Sequence, residues 1–328
     1  MPLAPLGHSV HFFYTDTGPP ANSATYTTLV LIHGIIFHQA TFRRLYPFAA
    51  QHNLRLVAPN LRDYPGSTPY TPHETDAFAN PHTHVQDAAI QAYGAEIAAF
   101  LAWLIKTHDL PPVTTPANSA AAGGIALLGW SGGNTATLAM LAHANKLPAE
   151  TRSLLASHLR TLIIFEPTIS ALGIDAPPTL YSPLRDSSIS LDERTSISGP
   201  WLSTHYSSAD PHPARAPEPT CAPALQDPPP STTRMSAEDL AAITDVGVIQ
   251  RAQGAMLSVD PRIYNRNLRK ALGLDWGAAS VLPLLRIEVV WCDRSVGDCV
   301  YAAWAVERMC EEGGGRGRFW GRARAGWV

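Results

Sequence analysis

The stretch GWSGG, at residues 129–133, contains the residues of this sequence best suited to catalysis. Ser131 lies between Gly129 and Gly133 in a G-x-S-x-G pattern, with an apolar run before it and a helix-forming run after it. In a sharp strand-to-helix turn, small neighbours let the central hydroxyl project above the end of the strand. Glycine-serine turns without a catalytic role are also common, but the strand-turn-helix context favours Ser131 as a nucleophile for acyl transfer.

A second glycine turn, upstream of Ser131, is suited to binding a developing oxyanion. His33 and Gly34 follow the apolar run TLVLI at residues 28–32. Because glycine lets the backbone approach a ligand closely, we expect the N–H of Ile35 to face a substrate oxygen together with the N–H of Gly132. The side chain of His33 itself is interpreted as a buried structural histidine.

The elements that must position these turns follow the pattern of a doubly wound, mostly parallel α/β sheet. Apolar residues recur at helical spacing between residues 85 and 106, and a further helix is predicted from about 298 to 309. Runs of strand length occur at residues 10–18, 28–34, 54–60, 125–130, 161–167 and 285–292. Several of these runs are continuously apolar, as expected for strands of a sheet that is covered on both faces.

The alternation of strands and helices stops in the second half of the chain. Nine prolines fall between Pro200 and Pro230, and a helix is predicted only after Ser236. We therefore predict a single α/β domain over residues 1–328, with a proline-rich cap inserted at about 168–280 and a low-complexity tail at 311–328.

Three features in this order resemble the α/β-hydrolase family: the His33-Gly34 pair, the D-x-x-G-S turn at residues 63–67, and the G-x-S-x-G turn. The resemblance covers about residues 25–310 and looks closest to fungal serine-type members with a proline-rich cap. It implies an eight-stranded sheet, an active site at the carboxyl ends of the strands beneath the cap, and no cofactor. Epoxide hydrolases and haloalkane dehalogenases of the family use aspartate at the position of Ser131, which argues against both activities.

A serine triad needs a carboxylate that orients the base, and two candidates remain open. In the family the acid usually follows the strand that corresponds to IEVVWC. At the expected position this chain has Ser295 instead of an acid, with Asp293 two residues before it and Asp298 three residues after it. Other members place the acid after the preceding strand, where Glu166 lies. Glu166 is preferred, and Asp293 is the alternative.

The general base is the missing part of the pattern. In the family a histidine follows the last strand, but all 13 histidines of this chain lie at or before His212. The tail EEGGGRGRFWGRARAGWV is poor strand material, so we predict that the last strand is missing or degraded, through truncation or an altered transcript. His38 is weighed as a substitute base, and His205, in the predicted cap, ranks below it.

Composition excludes several classes of function. The net charge of -3 gives no reason to expect nucleic acid as a partner, and no apolar run approaches the length of about 18 residues that a membrane span needs. The N-terminus lacks the features of a signal peptide, and the four cysteines form no C-x-x-C pair, so a cytoplasmic protein with reduced thiols is expected. His82 and His84 lack further ligands, so no metal site is predicted.

The sequence therefore predicts a serine hydrolase, esterase-like in its chemistry, that acts on an ester, lactone or amide bond of a small to medium apolar substrate. Ser131 would form the acyl-enzyme, and Trp130 and Ile36 would contact the substrate. Without the C-terminal histidine the activity would be crippled, because a serine hydroxyl without a base is a weak nucleophile. The alternative is a catalytically inactive protein of the same fold that binds a small ligand or a partner. No oligomeric state is predicted.

Overall fold

The computed structural model describes residues 2–7, 9–114, 122–186, 188–206, 224–225, 227–275, 281–313 and 319–324. Its centre is an eight-stranded sheet with the strand order β1-β2-β4-β3-β5-β6-β7-β8. The strands are β1 (Leu3–Gly7), β2 (Val10–Asp16), β3 (Thr27–Ile32), β4 (Leu54–Pro59), β5 (Ile125–Trp130), β6 (Leu159–Phe165), β7 (Arg286–Cys292) and β8 (Phe319–Arg324).

The sheet is parallel except at its amino-terminal end. β1 pairs antiparallel with β2, and β2 pairs antiparallel with β4, while every other neighbouring pair is parallel. Parallel strands joined through helices bring their carboxyl ends to one edge of the sheet. Because β5 lies between β3 and β6, the turn that contains Ser131 is adjacent to the turns that follow both of those strands.

Helices cover the sheet and bury its central strands. Ile125 and Leu127 of β5 belong to one buried hydrophobic cluster with Ile97 and Leu101. The helices are α1 (Pro72–Phe78), α2 (Thr83–His108), α3 (Gly133–Ala142), α4 (Ala149–His158), α5 (Ile169–Leu172), α6 (Leu191–Ser203), α7 (Ala237–Ala241), α8 (Ala252–Leu257), α9 (Pro261–Ala271) and α10 (Gly297–Glu312).

The helix α2 corrects the expectation that no apolar run approaches membrane-spanning length. It has 26 residues, and an 18-residue window with a mean hydropathy of 1.5 would suffice by length and composition to cross a membrane. However, 56% of that window is buried inside the protein. The helix packs against α3, α4 and β1, as expected of a core helix.

The expected loss of the last strand is not confirmed. Residues Phe319–Arg324 form β8, which pairs in parallel with β7 over the register Ile287–Phe319 to Cys292–Arg324. The glycine- and arginine-rich composition of the tail suggested otherwise. An edge strand, however, requires mainly main-chain hydrogen bonds to its neighbour, and Phe319 and Trp320 are residue types that favour strands.

The segment between β6 and β7 contains helices and turns, without a strand of the central sheet among its described residues. The helix predicted to run on from Ser236 is broken into α7, a 3-10 turn at Val246–Gln250, and α8. An isolated bridge joins Thr244 of this segment to Phe37. The proline-rich residues 207–223 lie outside the described part, and the extent of the cap stays a prediction.

Two further elements differ from the sequence prediction. The strand predicted first, at residues 10–18, is the second strand, because Leu3–Gly7 pairs with it as a short hairpin partner. After β3 the spacing of Phe42, Leu45 and Phe48 predicts a helix, and the structure has a 3-10 helix there, Gln39–Phe48, with Pro47 inside it. Proline removes a backbone donor and disfavours a regular α-helix, which explains the tighter geometry.

Candidate active site

Ser131 occupies a strained turn between β5 and α3. Its φ of 51° lies in the left-handed region, which costs a residue other than glycine about 1–3 kcal/mol and persists only where the surroundings enforce it. Here the N–H of Ser131 donates to the carbonyl oxygen of Phe165 at 3.0 Å, and the side-chain amide of Asn134 donates to the carbonyl oxygens of Ser131 at 2.9 Å and of Phe165 at 3.1 Å. These bonds hold the serine at the carboxyl end of β5.

The two glycines of the G-x-S-x-G pattern are required for close packing. A Cβ on Gly133 would lie 2.4 Å from the carbonyl oxygen of His33, and one on Gly129 would lie 2.7 Å from Oγ1 of Thr137. Any larger residue would therefore push α3 away from β3 and β5. The close approach of these elements places the turn of Ser131 directly beside the turn after β3.

The main chain after β3 approaches the serine hydroxyl as expected for an oxyanion site. A Cβ on Gly34 would lie 3.1 Å from Cβ and 3.5 Å from Oγ of Ser131, and one on Gly132 would lie 3.4 Å from the nitrogen of Ile35. In the described part of the chain, neither the N–H of Ile35 nor that of Gly132 donates a hydrogen bond. Two unused donors therefore lie close together beside the serine.

Ile36 fixes the direction of this loop. Its φ of 72° is unusual for a β-branched residue. The N–H of Ile36 donates to Oη of Tyr64 at 3.0 Å, and its carbonyl oxygen accepts from the N–H of Asp245 at 2.7 Å. Bonds on both sides thus hold the strained residue, and the N–H of Ile35 just before it stays free.

His33 has a structural role, in agreement with the sequence interpretation. It is fully buried; Nδ1 lies 2.8 Å from the carbonyl oxygen of Gly34, and Nε2 lies 3.0 Å from the N–H of Leu61. Since Nε2 accepts from an N–H group, Nδ1 carries the proton and donates to the carbonyl. Burial lowers the pKa of His33 to about 4, so the ring stays neutral and fixes the glycine turn.

Glu166 follows β6 with a φ of 44° and faces the β7 turn. Its Oε1 accepts from the N–H of Cys292 at 2.6 Å, and its Oε2 accepts from the hydroxyl of Ser295. Burial raises the pKa of Glu166, although both hydrogen bonds oppose the shift. A positive φ and a buried, hydrogen-bonded carboxylate next to Ser131 are features of a functional group.

Ser131 and Glu166 line the same cavity, which has a volume of about 270 Å³. Trp130 lines it as well, whereas Ile36 and Asp293 are not among its described lining residues. The remaining lining residues are mostly apolar or small and come from the turns after β3, β6 and β7, from α6, and from the start of α10: Gly34, Ile35, Phe37, Thr168, Gly199, Leu202, Ser203, Ser295, Val296 and Cys299.

The two histidines weighed as substitute bases are placed differently. His38 precedes the 3-10 helix Gln39–Phe48, and its Nδ1 accepts from the N–H of Ala40 at 3.4 Å; burial lowers its pKa. It is not among the described residues that line the Ser131 cavity. His205 lines a second cavity, of about 190 Å³, together with Glu166.

No protein-family model and no curated protein matches the sequence. Solved structures match over nearly the whole chain. A carboxylesterase from the thaumarchaeon Nitrososphaera gargenis is 14% identical, with a TM-score of 0.51, and the match covers 99% of this chain and 90% of that one. A bromoperoxidase from Bacillus anthracis is 11% identical (TM-score 0.48), with coverage of 99% and 91%. A thermophilic esterase from Thermogutta terrifontis is 15% identical (TM-score 0.46), with coverage of 98% and 88%.

The chain has the α/β-hydrolase fold. The fold predicted from the motifs is thus confirmed, while the likeness to fungal members stays a prediction. At these levels of identity the comparisons establish the architecture and leave the reaction to be argued from the site. Among the described residues of this α/β-hydrolase fold, no group of three His, Cys, Asp or Glu side chains could hold a metal ion.

Two contributors to the site were missed from the sequence. Tyr64 holds Ile36, and Ser295 donates to Glu166. Ser295 occupies the position at which the α/β-hydrolase fold usually has its acid, and this placement was the available signal: the hydroxyl there supports a carboxylate from the neighbouring strand. For Tyr64, within the D-x-x-G-S turn, only its place beside the β3 turn in space reveals the contact.

We expect Ser295→Ala to raise the pKa of Glu166 further, because the hydroxyl bond lowers it in the native protein. A hydrogen bond to a charged group contributes about 1.5–3 kcal/mol, which corresponds to a pKa rise of about one unit or more. If ionised Glu166 is required for ester hydrolysis, activity should fall roughly tenfold at acidic pH and less at alkaline pH. The pH-rate profile of Ser295→Ala measures this effect, and the control is Ser153→Ala, which removes an exposed hydroxyl of α4. If both variants keep the native pH-rate profile, the expected role of the Ser295 hydroxyl is contradicted.

Proposed function

We propose that the protein is a serine hydrolase that cleaves an ester or lactone, or a related amide, of a small uncharged substrate. One arrangement carries the proposal: Ser131, on its strained turn, opens into an apolar cavity beside the unused N–H groups of Ile35 and Gly132. A hydroxyl nucleophile with two adjacent main-chain donors suits a reaction in which negative charge develops on a carbonyl oxygen.

The reaction would proceed in two halves. Oγ of Ser131 bonds to the acyl carbon as a general base takes its proton, and the carbonyl oxygen becomes an oxyanion that accepts from the N–H groups of Ile35 and Gly132. The carbon–oxygen bond to the leaving group then breaks, and the alkoxide takes up a proton. Water adds to the acyl-enzyme in the same way, releasing the acid and restoring the serine. Glu166 orients the base and stabilises its protonated form.

The cavity limits the substrate. Its volume of about 270 Å³ is below the usual range for drug-sized ligands, so a short acyl group is expected. Trp130, Phe37 and Leu202 provide apolar surface, and no lysine or arginine is among the described lining residues. We therefore expect acetyl to hexanoyl esters to react faster than long-chain or anionic ones.

One observation favours the alternative, a ligand-binding protein without turnover. Oγ of Ser131 makes no hydrogen bond to a histidine in the part of the chain that is described. A cavity with a serine but no positioned base would bind carbonyl compounds without hydrolysing them.

The expected cytoplasmic location rests on reduced thiols, and Cys292, Cys299 and Cys310 are free; it stays a prediction.

A fluorophosphonate probe separates the two functions. We expect the probe to label the purified protein at Ser131, as located by peptide mass spectrometry, and p-nitrophenyl butyrate to be hydrolysed above the background rate. Ser131→Ala should abolish the labelling and the turnover. The matched control is Ser153→Ala, which removes an exposed hydroxyl on α4.

The outcome that contradicts the hydrolase is equally specific. If the folded protein is not labelled and does not hydrolyse esters, but binds the non-hydrolysable ketone analogue of butyrate ester, the ligand-binding function is favoured. If Ser131→Ala retains the labelling, another serine reacts and the assignment of the nucleophile is wrong.

A further inference from the structure

We infer that His205, from the segment between β6 and β7, is the general base for Ser131, with Glu166 as its orienting carboxylate. This inference rests on the proposed hydrolase function. It assigns the proton acceptor to a residue far from the C-terminal position at which the fold resemblance led us to expect it. His205 is anchored beside the β7 turn, lines a cavity together with Glu166, and has a buried ring nitrogen without a partner.

The main chain around His205 is fixed to the turn that holds Glu166. The helix α6 ends at Ser203, and the N–H of Tyr206 then donates to the carbonyl oxygen of Arg294 at 3.1 Å. On the other side, the carbonyl oxygen of His205 accepts from the N–H of Leu225 at 2.7 Å. His205 is thereby held above the β7 turn, the same turn whose Cys292 and Ser295 bond to the carboxylate.

His205 and Glu166 line the same small cavity. They line a cavity of about 190 Å³ together with residues of α6 and of the β7 turn. The cavity that contains Ser131 has four lining residues in common with it: Glu166, Leu202, Ser203 and Ser295. The two cavities are therefore adjacent, with the carboxylate and the end of α6 between them. Glu166 therefore borders both the cavity of His205 and the cavity of Ser131.

The ring of His205 has unused hydrogen-bonding capacity. Its Nδ1 is buried and has no hydrogen-bond partner, which costs free energy unless a partner is found during the reaction. Donation from Nδ1–H to the carboxylate of Glu166 would satisfy it. That bond would also fix the tautomer in which Nε2 is a free acceptor, as a general base requires. Hydrogen bonds of this kind often shorten only when substrate binds.

The other histidines near the site are committed elsewhere. Both ring nitrogens of His33 are hydrogen-bonded. Nδ1 of His38 already accepts a main-chain N–H, and the carboxylate that acts on its ring is that of Asp245. No histidine is among the described residues that line the cavity of Ser131, and of these three only His205 lines a described cavity together with Glu166.

The proton then has a complete route. Nε2 of His205 accepts the proton of Ser131 as Oγ bonds to the acyl carbon, and the resulting imidazolium returns it to the departing alkoxide. In the second half Nε2 takes a proton from water as the water oxygen attacks the acyl-enzyme, and it gives that proton back to Oγ of Ser131. Glu166 stays ionised throughout.

The test compares His205→Ala with two other histidine variants, using p-nitrophenyl butyrate and the fluorophosphonate probe. We expect His205→Ala to lower kcat by about 10³- to 10⁴-fold with little change in KM, since removing a triad member leaves only the contribution of the oxyanion site and binding. Added imidazole should restore part of kcat, because the vacated space admits the free base. His38→Gln and His84→Gln, the latter exposed on α2, should retain native activity and show no imidazole effect.

The outcomes distinguish this inference from the function it rests on. Labelling and turnover that are Ser131-dependent but unchanged in His205→Ala would overturn the role of His205 and leave the hydrolase intact. A native protein without labelling or turnover would overturn both. If His205→Ala does not fold, His205→Gln tests the same role with a side chain of similar size. Loss of kcat with an unchanged Tm supports the role of His205 as the base, and retained kcat contradicts that role.

Discussion

Glu166→Gln should lower kcat for ester hydrolysis by about 10⁴-fold, the effect expected when a triad acid becomes an amide that cannot stabilise the imidazolium. The substitution keeps the shape of the side chain, and the N–H of Cys292 can still donate to the remaining oxygen. The loss should therefore appear in kcat and kcat/KM together, with KM little changed. Steady-state kinetics on a short p-nitrophenyl ester measures it, with Asp293→Asn as the matched variant of the other candidate acid.

The same substitution should not destabilise the protein. Burial raises the pKa of Glu166 above its ordinary value of 4.5. A raised carboxyl pKa means that its stabilising contribution is present below the unfolded pKa and is lost as the pH rises through the folded pKa. An amide carries no charge, so we expect the Tm of Glu166→Gln to equal or exceed that of the native protein at pH 7. The difference should shrink as the pH falls toward 4.5.

A purely structural role for Glu166 predicts the reverse pattern. If the carboxylate served only to tie β6 to the β7 turn, Glu166→Gln would lower the Tm at pH 7 and leave kcat unchanged. If Asp293→Asn lost activity while Glu166→Gln kept it, the triad acid would be the residue after β7 and our preference would be wrong.

Gly133→Ala is expected to destabilise the fold and the site together. The added Cβ would lie 2.4 Å from the carbonyl oxygen of His33 and 2.8 Å from that of Ile32. These are backbone atoms of β3 and the turn after it, so they cannot move aside as a flexible side chain would. Overpacking of this kind costs about 1–3 kcal/mol or more. We expect Tm to fall by several degrees and fluorophosphonate labelling of Ser131 to drop at temperatures where the variant is still folded.

The control for Gly133→Ala is a glycine of similar backbone conformation with free space around it. Gly199 on α6 has no heavy atom within 4 Å of its added Cβ. Gly199→Ala should therefore change the free energy of unfolding by no more than about 1 kcal/mol, because the gain in helix propensity is opposed by the restriction that Pro200 places on the residue before it. Because Gly199 lines the Ser131 cavity, only the Tm of Gly199→Ala is compared with that of Gly133→Ala, and the labelling is not. A Gly133→Ala protein with native Tm and labelling would contradict the close packing of α3 on β3.

The sequence by itself determined the glycine turn around Ser131 and the glycine turn after β3 that lies beside it. Both depend on local rules: continuous apolar runs mark buried parallel strands, and glycines mark places where main chains must approach closely. The structure accordingly has Ser131 at a positive φ and Gly34 beside it. The long helix α2 was predicted from its periodicity, because one helical face must be apolar to be buried.

Only the tertiary structure decided how the carboxylate is supported, whether the last strand exists, and which histidine faces the site. Glu166 bonds to residues 126 and 129 positions away, and no local pattern encodes such a contact. β8 exists through its pairing with β7, which a poor strand composition could not reveal. His205 comes to the cavity of Glu166 because the segment after α6 bonds to the β7 turn. Side chains meet where distant elements pack, whereas sequence patterns report only the conformation of each element.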